Sequence, residues 1–346
     1  MKTLVLFLFI GSLFVPACYM PGMSGSDSSF NSSDKEYSFI KEYAVSSPLT
    51  LNLSTSGGNI NTVARDGNGI EVAFIVKKRN KVVDISLEEL KKLADIEITQ
   101  NDNSLTINIR QIHERQLSVG FSVKTPVNSS CNLNTSGGNI SLSALNGKQD
   151  VNTSGGNIDL DKLTGTAIAN TSGGNISISD SKATYNATTS GGNISLNDIE
   201  GKLKVSTSGG NIHANNVKPE LNAGTSGGNI EVSNAEGPVD VNTSGGSITL
   251  DKIAGSVKAE TSGGSISANI TNLSGKLYLE TSGGGIRVTI PSGLGLDLDL
   301  SADHIDTQLT NFSGTAKKDR INGQMNGGGI PVHLSTSGGS ITLNYR

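Results

Sequence analysis

From Leu133 onward, apolar and polar residues alternate at a period of two, and the alternation restarts every 18 residues. The unit Thr153–Asn170, T-S-G-G-N-I-D-L-D-K-L-T-G-T-A-I-A-N, shows the rule. Five places after each unit's Thr stands Ile: Ile140, Ile158, Ile176, Ile194, Ile212, Ile230, Ile248 and Ile266. Two places further on stand Leu142, Leu160, Ile178, Leu196, Val232 and Leu250, and two places before each Thr stand Leu133, Val151, Ala169, Ala187, Val205, Ala223, Val241 and Ala259. Period-two alternation predicts strands, and no stretch of the repeat carries the 3.6-residue period of a helix.

The tetrapeptide T-S-G-G begins at Thr55, Thr135, Thr153, Thr171, Thr189, Thr207, Thr225, Thr243, Thr261, Thr281 and Thr336. Self-similarity at a fixed period predicts a solenoid, in which each coil buries its apolar face against its neighbours. The Ile residues then form one continuous inward column. The Gly pair turns the chain where a Cβ would be strained. A second Gly recurs at Gly147, Gly165, Gly201, Gly237 and Gly255, giving each coil a second corner. The Asn before each Ile (Asn139, Asn157, Asn175, Asn193, Asn211, Asn229) predicts a second column, a side-chain amide ladder at the corner. The predicted fold is all-β, a β-solenoid with 18-residue coils. An aliphatic residue every six, which hexapeptide helices need, is missing, and so is the G-G-x-G-x-D of a calcium β-roll.

Both ends of the repeat are predicted to be caps, since open coil edges invite aggregation. Residues 70–127 break the pattern. Strands are expected at Ile70–Val76, Ile96–Thr99, Leu105–Arg110 and Leu117–Lys124, with a short helix from Ser86 to Ala94 opened by a Ser86/Glu89 capping box. Pro291 halts ladder pairing at the other end, before the chain returns to a last T-S-G-G-S-I-T-L. The domain reading is 37–130 as N-terminal β cap, 131–290 as repeat solenoid and 291–346 as solenoid end and cap.

The first residues read as an export signal: a basic Met1-Lys2 start, an apolar run from Leu4 to Val15, then Val15-Pro16-Ala17-Cys18. This run resembles a bacterial lipobox, with Pro16 standing where a small residue is usual. The resemblance implies cleavage of residues 1–17, acylation of Cys18 and anchorage in a membrane through it. Residues 18–36, rich in Ser, Gly and Asp, predict a flexible tether. Tyr19 after Cys18, by resemblance to lipoprotein sorting rules, favours the outer membrane.

Composition narrows the function classes. Gly is 43 of 346 residues, and the eleven T-S-G-G motifs hold 22 of them. A net charge of −4 speaks against nucleic-acid binding. Aromatics at 4%, with no Trp, give little to line a cofactor pocket. The four His (His113, His213, His304, His333) share no metal-ligand spacing, so neither metal nor cofactor is expected. Cys131 falls at an inward position and reads as a buried thiol. Asp159, Asp161, Asp180, Asp198 and Asp251 follow the Ile in successive coils and could share a face with Lys162 and Lys252, as polysaccharide-cleaving β-helices require. Ser141, Ser143, Ser177 and Asn197 hold the same columns, which favours a solvated polar face.

Several ordered motifs together carry a family resemblance over residues 37–346: TSGGNINTVARDGNGIEV, the repeated TSGG-N/S-I, IPSGLGLDLDLS and INGQMNGGGIPVHLSTSGGSITL. The chain resembles the bacterial "putative adhesin" family of β-strand-repeat proteins. The resemblance implies a right-handed β-helix at the cell envelope and brings no catalytic residues with it. The function expected is a non-enzymatic envelope lipoprotein whose polar faces bind a glycan, a surface protein or an envelope partner. The alternatives are a polysaccharide-processing enzyme and a structural spacer.

Overall fold

A computed structural model describes residues 36–346. The signal segment, Cys18 and most of the tether lie outside the described residues. Among those described, the chain forms 29 strands and a single helix, all strands hydrogen-bonded into one long sheet.

The register follows the repeat. Ile140 pairs in parallel with Ile158, Ile158 with Ile176, Ile176 with Ile194 and Ile194 with Ile212, each 18 residues on. Ile230, Ile248 and Ile266 continue the column. All eight are buried, along with the Leu133-type and Leu142-type columns, in one continuous core. Side chains alternate across a strand, so a period-two sequence puts its whole apolar set on the inner face. Cys131 lies inward as expected, and burial pushes its thiol up to about 12.

Both ends are interleaved. The strands Leu49–Thr55 and Ile60–Arg65 lie between two other coils: Ser129–Thr135 and Ile140–Ser143 on one side, Ser104–Ile112 and Leu117–Pro126 on the other. The outer pair comes later in sequence, so the chain leaves its first coil, builds a cap, and returns outside it. Ala94–Asn101 and Ile70–Lys78 cover that outer pair in antiparallel register, and Phe39–Tyr43 adds to Ile70–Lys78. The helix runs Leu87–Leu93, with Ser86 as N-cap in a complete capping box with Glu89.

The other end repeats the device. Ile330–Thr336 and Ser340–Tyr345 stack on Leu277–Thr281 and Ile286–Ile290, while Leu296–Ser301 and His304–Thr307 lie outside them. The last repeat in sequence is therefore an inner coil in space. Ladder pairing breaks at Pro291, as expected, after the strand Ile286–Ile290.

Candidate functional site: the corner ladder and the outer faces

Each T-S-G-G corner is a hydrogen-bonded rung. The Thr is buried. Thr153 Oγ1 donates to the Gly138 carbonyl of the previous coil at 2.9 Å and accepts from Gly156 N–H of its own coil at 3.3 Å. The same pair of bonds recurs at Thr171, Thr189, Thr207, Thr225, Thr243 and Thr261. Each hydroxyl thus ties two coils together without leaving a buried polar atom unpaired. The repeated Thr was the signal in the sequence: it stands two places after an inward residue such as Val151, so alternation puts it on the inner face, but the period says nothing of what its hydroxyl bonds.

The glycines are explained differently from the strained turn expected. None of the T-S-G-G glycines has a positive φ. The second Gly is required by stacking: a Cβ on Gly174 would lie 1.9 Å from the Gly156 carbonyl oxygen, whereas the nearest atom to one on Gly173 is 3.7 Å away. Positive φ belongs to the other corner, at Gly147, Gly165, Gly237 and Gly255. The Asn column also differs. Each Asn side-chain oxygen accepts from the backbone N–H of the Asn one coil on, at 2.8–2.9 Å from Asn139 through Asn229. The ladder runs side chain to backbone, not amide to amide.

The acidic residues do not gather. Asp159 sits between Ser141 and Ser177, while Asp161 and Asp251 fall in a second column with Ser143, Ser179, Asn197 and Asn215. Asp180 and Asp198 occupy a third, a left-handed turn column (φ +48° to +61°) with Ala144, Lys162, Asn216, Asn234 and Lys252. Burial pushes Asp161 up, but bonds from Lys162 Nζ (3.0 Å), Ser179 Oγ (3.1 Å) and Ser143 Oγ (3.2 Å) outweigh it and hold the carboxyl below the ordinary range. Among the described residues no three His, Cys, Asp or Glu side chains are placed to hold a metal ion.

One outward cluster was not legible in the sequence. Tyr278 stacks on His333, ring centroids 4.7 Å apart and 16° from parallel. His333 Nδ1 lies 3.0 Å from Asp299 Oδ2, and Tyr278 donates to Glu280. That bond to Glu280 is the main reason the Tyr278 hydroxyl is pushed up to about 12. Tyr278, His333 and Asp299 come together only because the last repeat, which carries His333, is inserted between the coils carrying the other two. Two of the other histidines form isolated contacts: His113 with Asp95 (3.1 Å) and His213 with Glu231 (3.4 Å).

Fold and faces together define an all-β protein of stacked, repeated coils with polar outer surfaces. The family described as Toastrack DUF4097 matches residues 49–238 and 219–344, and the chain belongs to it. Similar solved structures include a putative cell adhesion protein from Clostridium sporogenes ATCC 15579 (12% identity, 89% of this chain and 99% of that one, TM-score 0.18). They also include putative adhesins from Parabacteroides distasonis ATCC 8503 (12%, 88% and 96%, TM-score 0.33) and Bacteroides fragilis NCTC 9343 (14%, 88% and 96%, TM-score 0.27). At these scores the likeness carries no argument about this chain. No curated protein matches it. No helix among the described residues is long and apolar enough to cross a membrane.

Proposed function

We propose that the chain is a non-enzymatic cell-envelope protein: a right-handed β-solenoid with 18-residue coils, held at a membrane through acylated Cys18, whose outer faces bind a surface glycan or an envelope partner. The observation that carries the reading is the outward Tyr278–His333 stack flanked by Glu280 and Asp299. An aromatic face beside oriented carboxylates offers apolar contact and hydrogen-bond acceptors to a sugar ring, and rows of Ser, Thr and Asn multiply weak contacts along a polymer. Of the five acidic residues that could have shared a catalytic face, Asp161 is taken up by Lys162 and two serines, which speaks for binding over turnover.

The test is saturable binding to a panel of envelope polysaccharides. Tyr278→Ala should weaken the hit about tenfold, as truncation of an anchoring aromatic does. No binding across the panel would favour a spacer, and release of oligosaccharide would favour an enzyme. Protease shaving of intact cells, with Cys18→Ala as control, tests the surface location; full protection until lysis would place the domain inside.

A further inference from the structure

The Asn N–H donors of the corners all point one way along the stack. The N–H of Asn139, Asn157, Asn175, Asn193, Asn211 and Asn229 each reaches the side-chain oxygen of the Asn on the preceding rung. From Thr153 onward the Ser and first-Gly N–H groups also reach back, as Ser172 and Gly173 do to the Ser154 carbonyl at 3.1 and 2.9 Å. The Thr55 corner is the first rung, and the strand ahead of it is Leu117–Pro126. Phe121 stands opposite Ile60, and Thr55 Oγ1 donates to the Val119 carbonyl as later threonines donate to glycine. By that register Gly120 occupies the position of the missing Asn, and it has no side chain. Leu117–Pro126 does not turn there; it runs on to pair with Ile70–Lys78. The N–H of Asn59 consequently has no partner among the described residues, and the N–H groups of Gly57 and Gly58 have none there either.

These groups line a recess of about 150 Å³. Lys77, Asn80 and Ser118 line it too, and no carboxylate does. Lys77 has no ion-pair partner among the described residues, whereas its neighbour Lys78 is paired with Glu114 at 2.9 Å. A cation, a hydroxyl, an amide and unpaired backbone N–H groups thus surround one space, the arrangement by which backbone concavities hold anions. We propose that the open end of the corner ladder is an oxyanion site that takes a phosphate group. The phosphate oxygens replace the absent Asn oxygen over Asn59 and pair with Lys77. Donors arrive from the corner, from the Ile70–Lys78 strand and its turn, and from Ser118, which suits a tetrahedral oxyanion better than a planar carboxylate.

The test is amide-resolved NMR on the full chain carrying Cys18→Ala, titrated with inorganic phosphate, with glycerol 3-phosphate and with sodium chloride at matched ionic strength. The expected result is saturable movement of the Gly57 and Asn59 amides with phosphate and not with chloride. Lys77→Gln should weaken it about tenfold, the usual scale for a charge-assisted pair. Asn80→Asp, which brings a like charge to the recess on a backbone that tolerates Asp, should abolish it. Glycerol 3-phosphate binding at least as tightly assigns a phosphate carried on a polyol, and inorganic phosphate binding alone assigns the free ion. Equal movement with chloride, no saturation, or unchanged affinity in both folded variants overturns the proposal.

Discussion

Within one corner, neighbouring glycines face different demands. A Cβ on Gly192 would meet the Gly174 carbonyl oxygen at 1.9 Å, a backbone atom that cannot step aside, while the nearest atom to one on Gly191 is 3.7 Å away. Gly192→Ala should therefore cost about 3 kcal/mol or more, and Gly191→Ala within about 1 kcal/mol, as read by chemical denaturation. Thr189→Val keeps the shape but removes the bonds to the Gly174 carbonyl and the Gly192 N–H. A loss of about 2–3 kcal/mol is expected, since both partners stay buried and unpaired. Ile194→Asn, at a position only 1% exposed, should cost several kcal/mol by burying an amide among apolar side chains; an unchanged denaturation midpoint would contradict the inward column.

At the level of the strand and its turn, the left-handed column sets a graded cost. Asn216, Asn234, Asp180 and Asp198 suit φ near +50°, but Ala144 and Lys162 do not. Ala144→Gly should raise stability by up to about 1 kcal/mol, measurable as a higher denaturant midpoint at unchanged slope. Burial also sets a pH limit for these coils. It holds Cys131 and Tyr185 up to about 12 each. Folded-state values raised above the unfolded ones give stability that is complete below the unfolded values, 9.0 for the thiol and 10.0 for the phenol, and is lost as pH rises toward about 12. The melting temperature should fall over that window, and Cys131→Ala should remove the part that begins near pH 9.

Across the whole molecule, the interior is a stack of interchangeable coils and the ends are not. Deleting residues 189–206 removes one full coil and brings Ile176 against Ile212 in the same register. Such a solenoid should stay folded, with a cooperative melt close to that of the full chain, because each coil contacts only its neighbours. Deleting 330–346, although terminal in sequence, removes an inner coil and strands Leu296–Ser301 away from Leu277–Thr281. That truncation should open the end, seen as rapid proteolysis C-terminal to residue 290.

The sequence by itself determined the strand period, the 18-residue offset between partners, the inward Ile column and the capped helix at Ser86. Each rests on contacts between residues that are neighbours in the chain or one repeat apart, and the repeat prints those contacts. The tertiary structure alone decided what depends on which coil lies beside which. That includes the bonds of the Thr rungs, the reason for the second Gly and the side-chain-to-backbone Asn ladder. It also includes the interleaved ends. Tyr278 meets His333 from 55 residues away, and Gly120 faces Asn59 where an Asn is expected, because the chain skips a place at each end of the stack. No periodicity within the sequence encodes such a skip; it follows from the need to cover the last coil at either end.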